Sequence, residues 1–145
     1  MLHISNVSRL LCGIILITVP TIEFGGSFLL KLLRTREAGY LDNPLRQNLF
    51  RAGHAHAGVI VILSLICQVL VDAIILPAPL AWIVRIGVPA AAVLIPAGFF
   101  LSIGSPRSET PNAAIQLVYL GAVILAISVL ILGVGLVRAG AYVQL

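Results

Sequence analysis

Four long apolar runs divide the chain, and none alternates with the period of two that marks a strand. They cover about 9–33, 50–76, 80–103 and 112–137. Each exceeds the roughly 20 residues that cross a hydrocarbon core. Three polar connections separate them: Arg34 to Leu49 with Asp42-Asn43-Pro44, the tight Pro77-Ala78-Pro79, and Gly104 to Pro111 with Ser105-Pro106 and Thr110-Pro111. The pattern predicts an all-α fold, a single integral membrane domain over 1–145 built as a four-helix transmembrane bundle. The first run reads as a retained helix rather than a signal peptide. It is too long, it contains Glu23, and no small-residue cleavage site precedes a mature domain.

Composition agrees with this reading. The 145 residues are 60% hydrophobic and only 10% charged, whereas a soluble domain needs roughly 25% charged residues to cover its surface. The net charge of +4 comes from basic residues spread over loops, so it does not point to nucleic acid. Lys31, Arg34, Arg36, Arg46, Arg51 and Arg107 lie near the first and third loops, and Arg9, Arg85 and Arg138 toward the other side. The positive-inside rule then puts loops one and three in the cytoplasm and both termini outside. The expected setting is a multi-pass position in a bacterial cytoplasmic membrane. Cys12 and Cys67 sit in apolar stretches and read as buried hydrophobes.

The candidate chemistry gathers where the second run opens, Phe50-Arg51-Ala52-Gly53-His54-Ala55-His56-Ala57-Gly58. Ionisable groups inside a membrane helix are costly and therefore mark functional sites. Residues two apart on a helix point about 200° apart, so His54 and His56 do not share one metal. The His54 face continues through Gly58, Val61, Leu65, Gln68 and Asp72, a polar stripe expected inside the bundle. The His56 face continues through Ile60, Leu63 and Cys67 and is expected to face lipid or a second copy of the chain. An interhelical hydrogen-bonding role is favoured over ligation for His54, and the reverse for His56. Glu23, flanked by Gly25, Gly26 and Ser27, is expected in the interior beside the second helix, protonated or bonded to His54. Gln116 and Tyr119 follow Asn112 at helical spacing, and Phe99 and Phe100 end the third helix. Glu23, His54, His56, Gln116 and Tyr119 thus share one half of the membrane, which suggests a cavity there. Gly53, Ala57 and Gly58 read as small residues that let helices approach.

At these residues the chain resembles styrene oxide isomerase, a family of small four-helix membrane proteins with an Arg-Ala-His-Ser-Gly-like motif opening the second helix. Ala55-His56-Ala57-Gly58 occupies that place, with Arg51 slightly displaced, and Gly98-Phe99-Phe100 resembles the family's Gly-Phe-Tyr, followed by the turn Ser105-Pro106. Hydroxylaminobenzene mutase is a more distant likeness. The resemblance runs over about 50–138. It implies haem b held between protomers of a homo-oligomer, a trimer in that family, with the iron acting as a Lewis acid on an epoxide oxygen. Carried over, the axial ligand is His56, and Arg51 or Arg46 are the expected propionate partners. Ile62 and Phe100 stand where the family has asparagine and tyrosine. Tyr119, Gln116 and His54 are the polar groups expected to contact the substrate in their stead, and Phe99, Phe100 and Glu23 the pocket wall.

The function expected from the sequence is isomerisation of a small lipophilic molecule that partitions into the bilayer. Two rival readings remain open: a membrane haem protein for electron transfer or gas sensing, and a non-enzymatic subunit or scaffold.

Overall fold

The computed structural model describes residues 4–142. They form α1 (Asn6–Arg34), a single turn α2 (Ala38–Leu41), α3 (Pro44–Asp72), α4 (Ala78–Leu101), a 3-10 turn (Ala113–Ile115) and α5 (Gln116–Tyr142), with no strand among the described residues. Four helical stretches are long and apolar enough to cross a membrane. The fold is therefore the expected all-α four-helix bundle, and the chain is a multi-pass integral membrane protein.

The helix ends differ from the apolar runs because caps, not hydropathy, set them. α3 begins at Pro44, before the run at 50. Asn43 caps it by accepting from Arg46 N at 3.0 Å, and proline suits the first turn, where its missing N–H has no intrahelical partner. The same helix stops at Asp72 rather than 76, since Pro77 disfavours helical backbone just ahead of it. α4 covers Ala78–Leu101 rather than 80–103. Asn112 closes the next connection: its Nδ2 donates to Leu101 O at 3.0 Å and its Oδ1 accepts from Ala114 N at 2.8 Å. α1 ends with Arg36 at φ 50°, a left-handed residue that lets Glu37 N reach Leu32 O at 3.0 Å.

α3 and α4 are the central pair. α1 lies on α3 and α5 on α4, while α1 and α5 share no packing surface among the described residues. Lipid is as apolar as a helix surface, so close approach and polar contacts must hold such a bundle together. Between α4 and α5 the approach is made by glycines. A Cβ on Gly98 would lie 2.6 Å from Val118 Cγ2 and 2.7 Å from its backbone N, and one on Gly121 would lie 2.7 Å from Ile95 Cγ1. Between α3 and α4, Gly53 seats the ring of Phe100 and the Cβ of Phe99. Gly58 differs from expectation: nothing lies within 4 Å of where its Cβ would be, so it is not a helix contact.

The polar contacts converge on Arg85 of α4. Its Nη2 meets Asp72 Oδ1 at 2.5 Å, and its Nη1 donates to Ser8 Oγ and, at 3.3 Å, to Gln68 Oε1. Ser8 Oγ donates to Gln68 O at 3.0 Å, and Ser5 N to Asp72 Oδ2 at 2.8 Å. Gln68 Nε2 donates to Arg85 O at 2.8 Å. That carbonyl needs a donor because Pro89, four residues on, has no N–H. Arg85, read from the sequence only as a topology marker, is the centre of a buried network that joins α1, α3 and α4.

Both side chains of the ion pair are buried, at 10% and 6% exposure, so removing one partner strands the other. Arg85→Met or Asp72→Leu alone is expected to lower unfolding free energy by about 3–5 kcal/mol. The double change to Met and Leu recovers most of it. Reversible unfolding of the four proteins in detergent, as a double-mutant cycle, checks this; strictly additive losses would contradict it.

Candidate functional site

A cavity of about 370 Å³ lies where α1, α3 and α4 meet. α1 contributes Ile15, Thr18, Thr21, Ile22 and Gly25; α3 contributes His54, Ala57, Val61 and Ser64; α4 contributes Pro89, Ala92, Pro96 and Phe100. The wall is mostly apolar and His54 is its one ionisable group. Ile14 and Val93 edge the cavity and are 52% and 66% exposed, so its mouth lies between α1 and α4 and faces sideways, toward lipid.

The position of His54 follows from two glycines in α1. A Cβ on Gly26 would lie 3.1 Å from His54 Cε1 and 3.2 Å from Nε2, and one on Gly25 would lie 3.6 Å from Nδ1. The imidazole therefore rests on a flat stretch of α1 backbone that larger residues would lift away. This is the interior position the polar stripe predicts. Val61, Ser64 and Gln68 are buried along the same side of α3.

Two prolines shape the α4 wall. Pro89 frees the Arg85 carbonyl, which Gln68 answers. Pro96 likewise frees the carbonyl of Ala92, and no side chain among the described residues donates to it. Both Ala92 and Pro96 line the cavity. The hydroxyls there are already committed as donors: Thr18 Oγ1 to Ile15 O at 2.6 Å, Thr21 Oγ1 to Thr18 O at 2.7 Å and Ser64 Oγ to Ile60 O at 2.7 Å.

His56 lies elsewhere. Its side chain is exposed, its ring centre is 5.2 Å from that of Phe99, and its Nδ1 is 2.7 Å from Ala52 O. A carbonyl accepts only, so Nδ1 carries the proton and Nε2 is left as the free nitrogen. The apolar residues that share its face do not follow it outward, contrary to expectation. Ile60 and Cys67 are buried at 3% and 2%. They belong to the α3–α4 seam, and His56 stands at its margin. Apolar residues on a membrane helix do not reveal whether they face lipid or protein.

Several expected site residues are not brought together. Glu23 is exposed and lies outside the cavity wall, because α1 turns Ile22, Gly25 and Gly26 inward, with Gly26 close beneath the His54 ring. Gln116 and Tyr119 are exposed as well, Tyr119 at 62%, because α5 presents Leu117, Val118 and Gly121 to α4. They contribute nothing to the cavity. Phe99 and Phe100 separate: Phe99 stacks on His56, while Phe100 reaches the cavity and lies 5.1 Å from the Phe50 ring. Arg46 is turned into the loop end, where Nη1 donates to Gly39 O at 3.1 Å and Cζ lies 5.0 Å over Phe50. Its Nε and the hydroxyl of the adjacent Tyr40 are buried without a protein partner. Arg51 is exposed, and five residues ahead of His56 it is offset by about 140° around the helix. No group of three or more His, Cys, Asp or Glu that could hold a metal ion occurs among the described residues.

A cavity at the depth of His54 was expected from the sequence, but not the residues that shape it, Gly25-Gly26 on α1 and Pro89 and Pro96 on α4, because nothing in the spacing says that these helices face one another.

Replacing Gly26 by valine is expected to tilt the His54 ring out of the cavity while the helices stay associated. The His54 side-chain nitrogen resonances in selectively labelled protein report this. Unchanged resonances in Gly26→Val would show that the ring does not rest on α1. No protein-family model, no curated protein and no solved structure matches the chain, so nothing in these comparisons identifies a styrene-oxide-isomerase-like family, and a functional reading must rest on the site itself.

Proposed function

We propose that this chain takes a small lipophilic molecule sideways from the bilayer into the α1–α3–α4 cavity and engages it through His54. The observation that carries the reading is an apolar cavity of about 370 Å³ with one imidazole in its wall and a mouth toward lipid. Apolar walls with a few convergent polar groups are how small-molecule sites are built. The reaction class that suits such a site is isomerisation. One imidazole can take a proton from one position and return it at another, with no net redox change and no water as reactant.

A second reading is favoured by a separate observation. The Nδ1–H of His56 is held by the Ala52 carbonyl, which is how ligating histidines are commonly oriented, and Nε2 is free on an exposed surface beside Phe99. His56 would then hold haem b at the outer face, between copies of the chain in a homo-oligomer. When bound, the haem would supply a Lewis-acidic iron that polarises an oxygen. The propionate partners expected from the sequence do not accompany it, since Arg46 is engaged at the loop end and Arg51 is displaced around the helix. The fit is thus to the ligand and not to the whole haem pocket.

Reconstituted protein in lipid nanodiscs is expected to bind lipophilic aromatic probes, and Ala57→Phe, which fills the cavity, to abolish binding without loss of the fold. Binding that survives Ala57→Phe would remove the cavity reading. In haem-supplemented protein a Soret band is expected in wild type and in His54→Ala, and not in His56→Ala. A band lost only in His54→Ala would place the ligand on the other histidine.

A further inference from the structure

We infer that the cavity selects a neutral ligand carrying a hydrogen-bond donor, a lipophilic alcohol or phenol, over one that can only accept. This rests on the reading that the cavity binds a small lipophilic molecule, and it adds the chemical class.

The argument is a count of donors and acceptors. A hydroxyl has one proton to donate and two lone pairs. The protons of Thr18, Thr21 and Ser64 are committed to backbone carbonyls at 2.6, 2.7 and 2.7 Å, which leaves these oxygens with lone pairs only. The Ala92 carbonyl is a further acceptor, released from the helix by Pro96 and answered by no side chain among the described residues. Against these four acceptors the wall offers only the ring N–H of His54, and an imidazole with one ring proton adds an acceptor at its other nitrogen. A ligand O–H can donate to one of these remaining lone pairs, a hydrogen bond that a ligand able only to accept cannot make. An ether, ester or ketone can address only the imidazole. A lipophilic ammonium would bring donors too, but no carboxylate lines the cavity to neutralise it, since Glu23 faces away.

The test uses para-tert-butylphenol and its methyl ether, with wild-type protein in phosphatidylcholine nanodiscs. Equilibrium dialysis is corrected for partition into empty nanodiscs. The phenol is expected to bind about tenfold more tightly, the effect of one net hydrogen bond. Pro96→Ala supplies an N–H to the Ala92 carbonyl and should shrink that preference toward parity. Thr18→Val keeps the volume and removes an acceptor, so it should weaken the phenol and leave the ether unchanged; it decides the matter alone if Pro96→Ala does not fold. Equal affinity of the two probes in wild type overturns the inference while the cavity reading stands, provided Ala57→Phe abolishes both. A phenol preference that persists undiminished in both variants also overturns it. If neither probe binds, the cavity reading falls with it.

Discussion

The association of α1, α3 and α4 depends on one guanidinium. In a bilayer the apolar faces of helices gain little from leaving lipid, so association needs contacts that lipid cannot supply. Arg85 supplies them at one end of the molecule. It binds Asp72 and Gln68 of α3 and Ser8 of α1, and Ser5 closes the circle by donating to Asp72. Every member is hydrogen-bonded, which distinguishes a stabilising buried network from a costly one. The network also repairs α4, because Gln68 donates to the carbonyl that Pro89 leaves free.

This anchor explains where the cavity can exist. α1 is tied to α3 and α4 near its start, through Ser5 and Ser8, yet it has little packing against α4 over the rest of its length. The two helices diverge away from the tie, and the space between them is closed from behind by α3. The second proline of α4, Pro96, lies in that space. No glutamine answers the carbonyl it frees, so the defect that Gln68 repairs at Pro89 is left unrepaired by any side chain among the described residues at Pro96. Further along, α1 meets α3 again through Gly25 and Gly26, and there the contact is the His54 ring itself.

The two histidines thus have opposite settings on one helix, only two residues apart. His54 is half-buried against α1 backbone and looks into an enclosed apolar space. His56 is exposed, fixed in tautomer by the Ala52 carbonyl and flanked by an aromatic ring. An imidazole in the first setting suits proton transfer to a bound molecule; one in the second suits ligation by a group approaching from outside the protomer. A protein that used both would join a protomer's own cavity to a site shared with its neighbour.

What the sequence by itself determined is the number of membrane helices, their polar connections and the separation of His54 from His56 onto different faces. Hydropathy and the helical period suffice for these, because the thickness of the bilayer and the 100° step are independent of neighbours. It also placed His54 inside, since the polar stripe through Gln68 and Asp72 had to be covered. Only the tertiary structure decided the rest. Glu23, Gln116 and Tyr119 share a depth with His54 but turn outward, because depth is read along one helix whereas facing depends on which helix is next to it. Ile60 and Cys67 looked lipid-facing and are buried, since lipid and protein interior demand the same residue types. Arg85 and Asp72 are thirteen residues apart across a proline turn, and the pairing that holds the bundle forms only when α3 and α4 lie antiparallel with α1 laid across them.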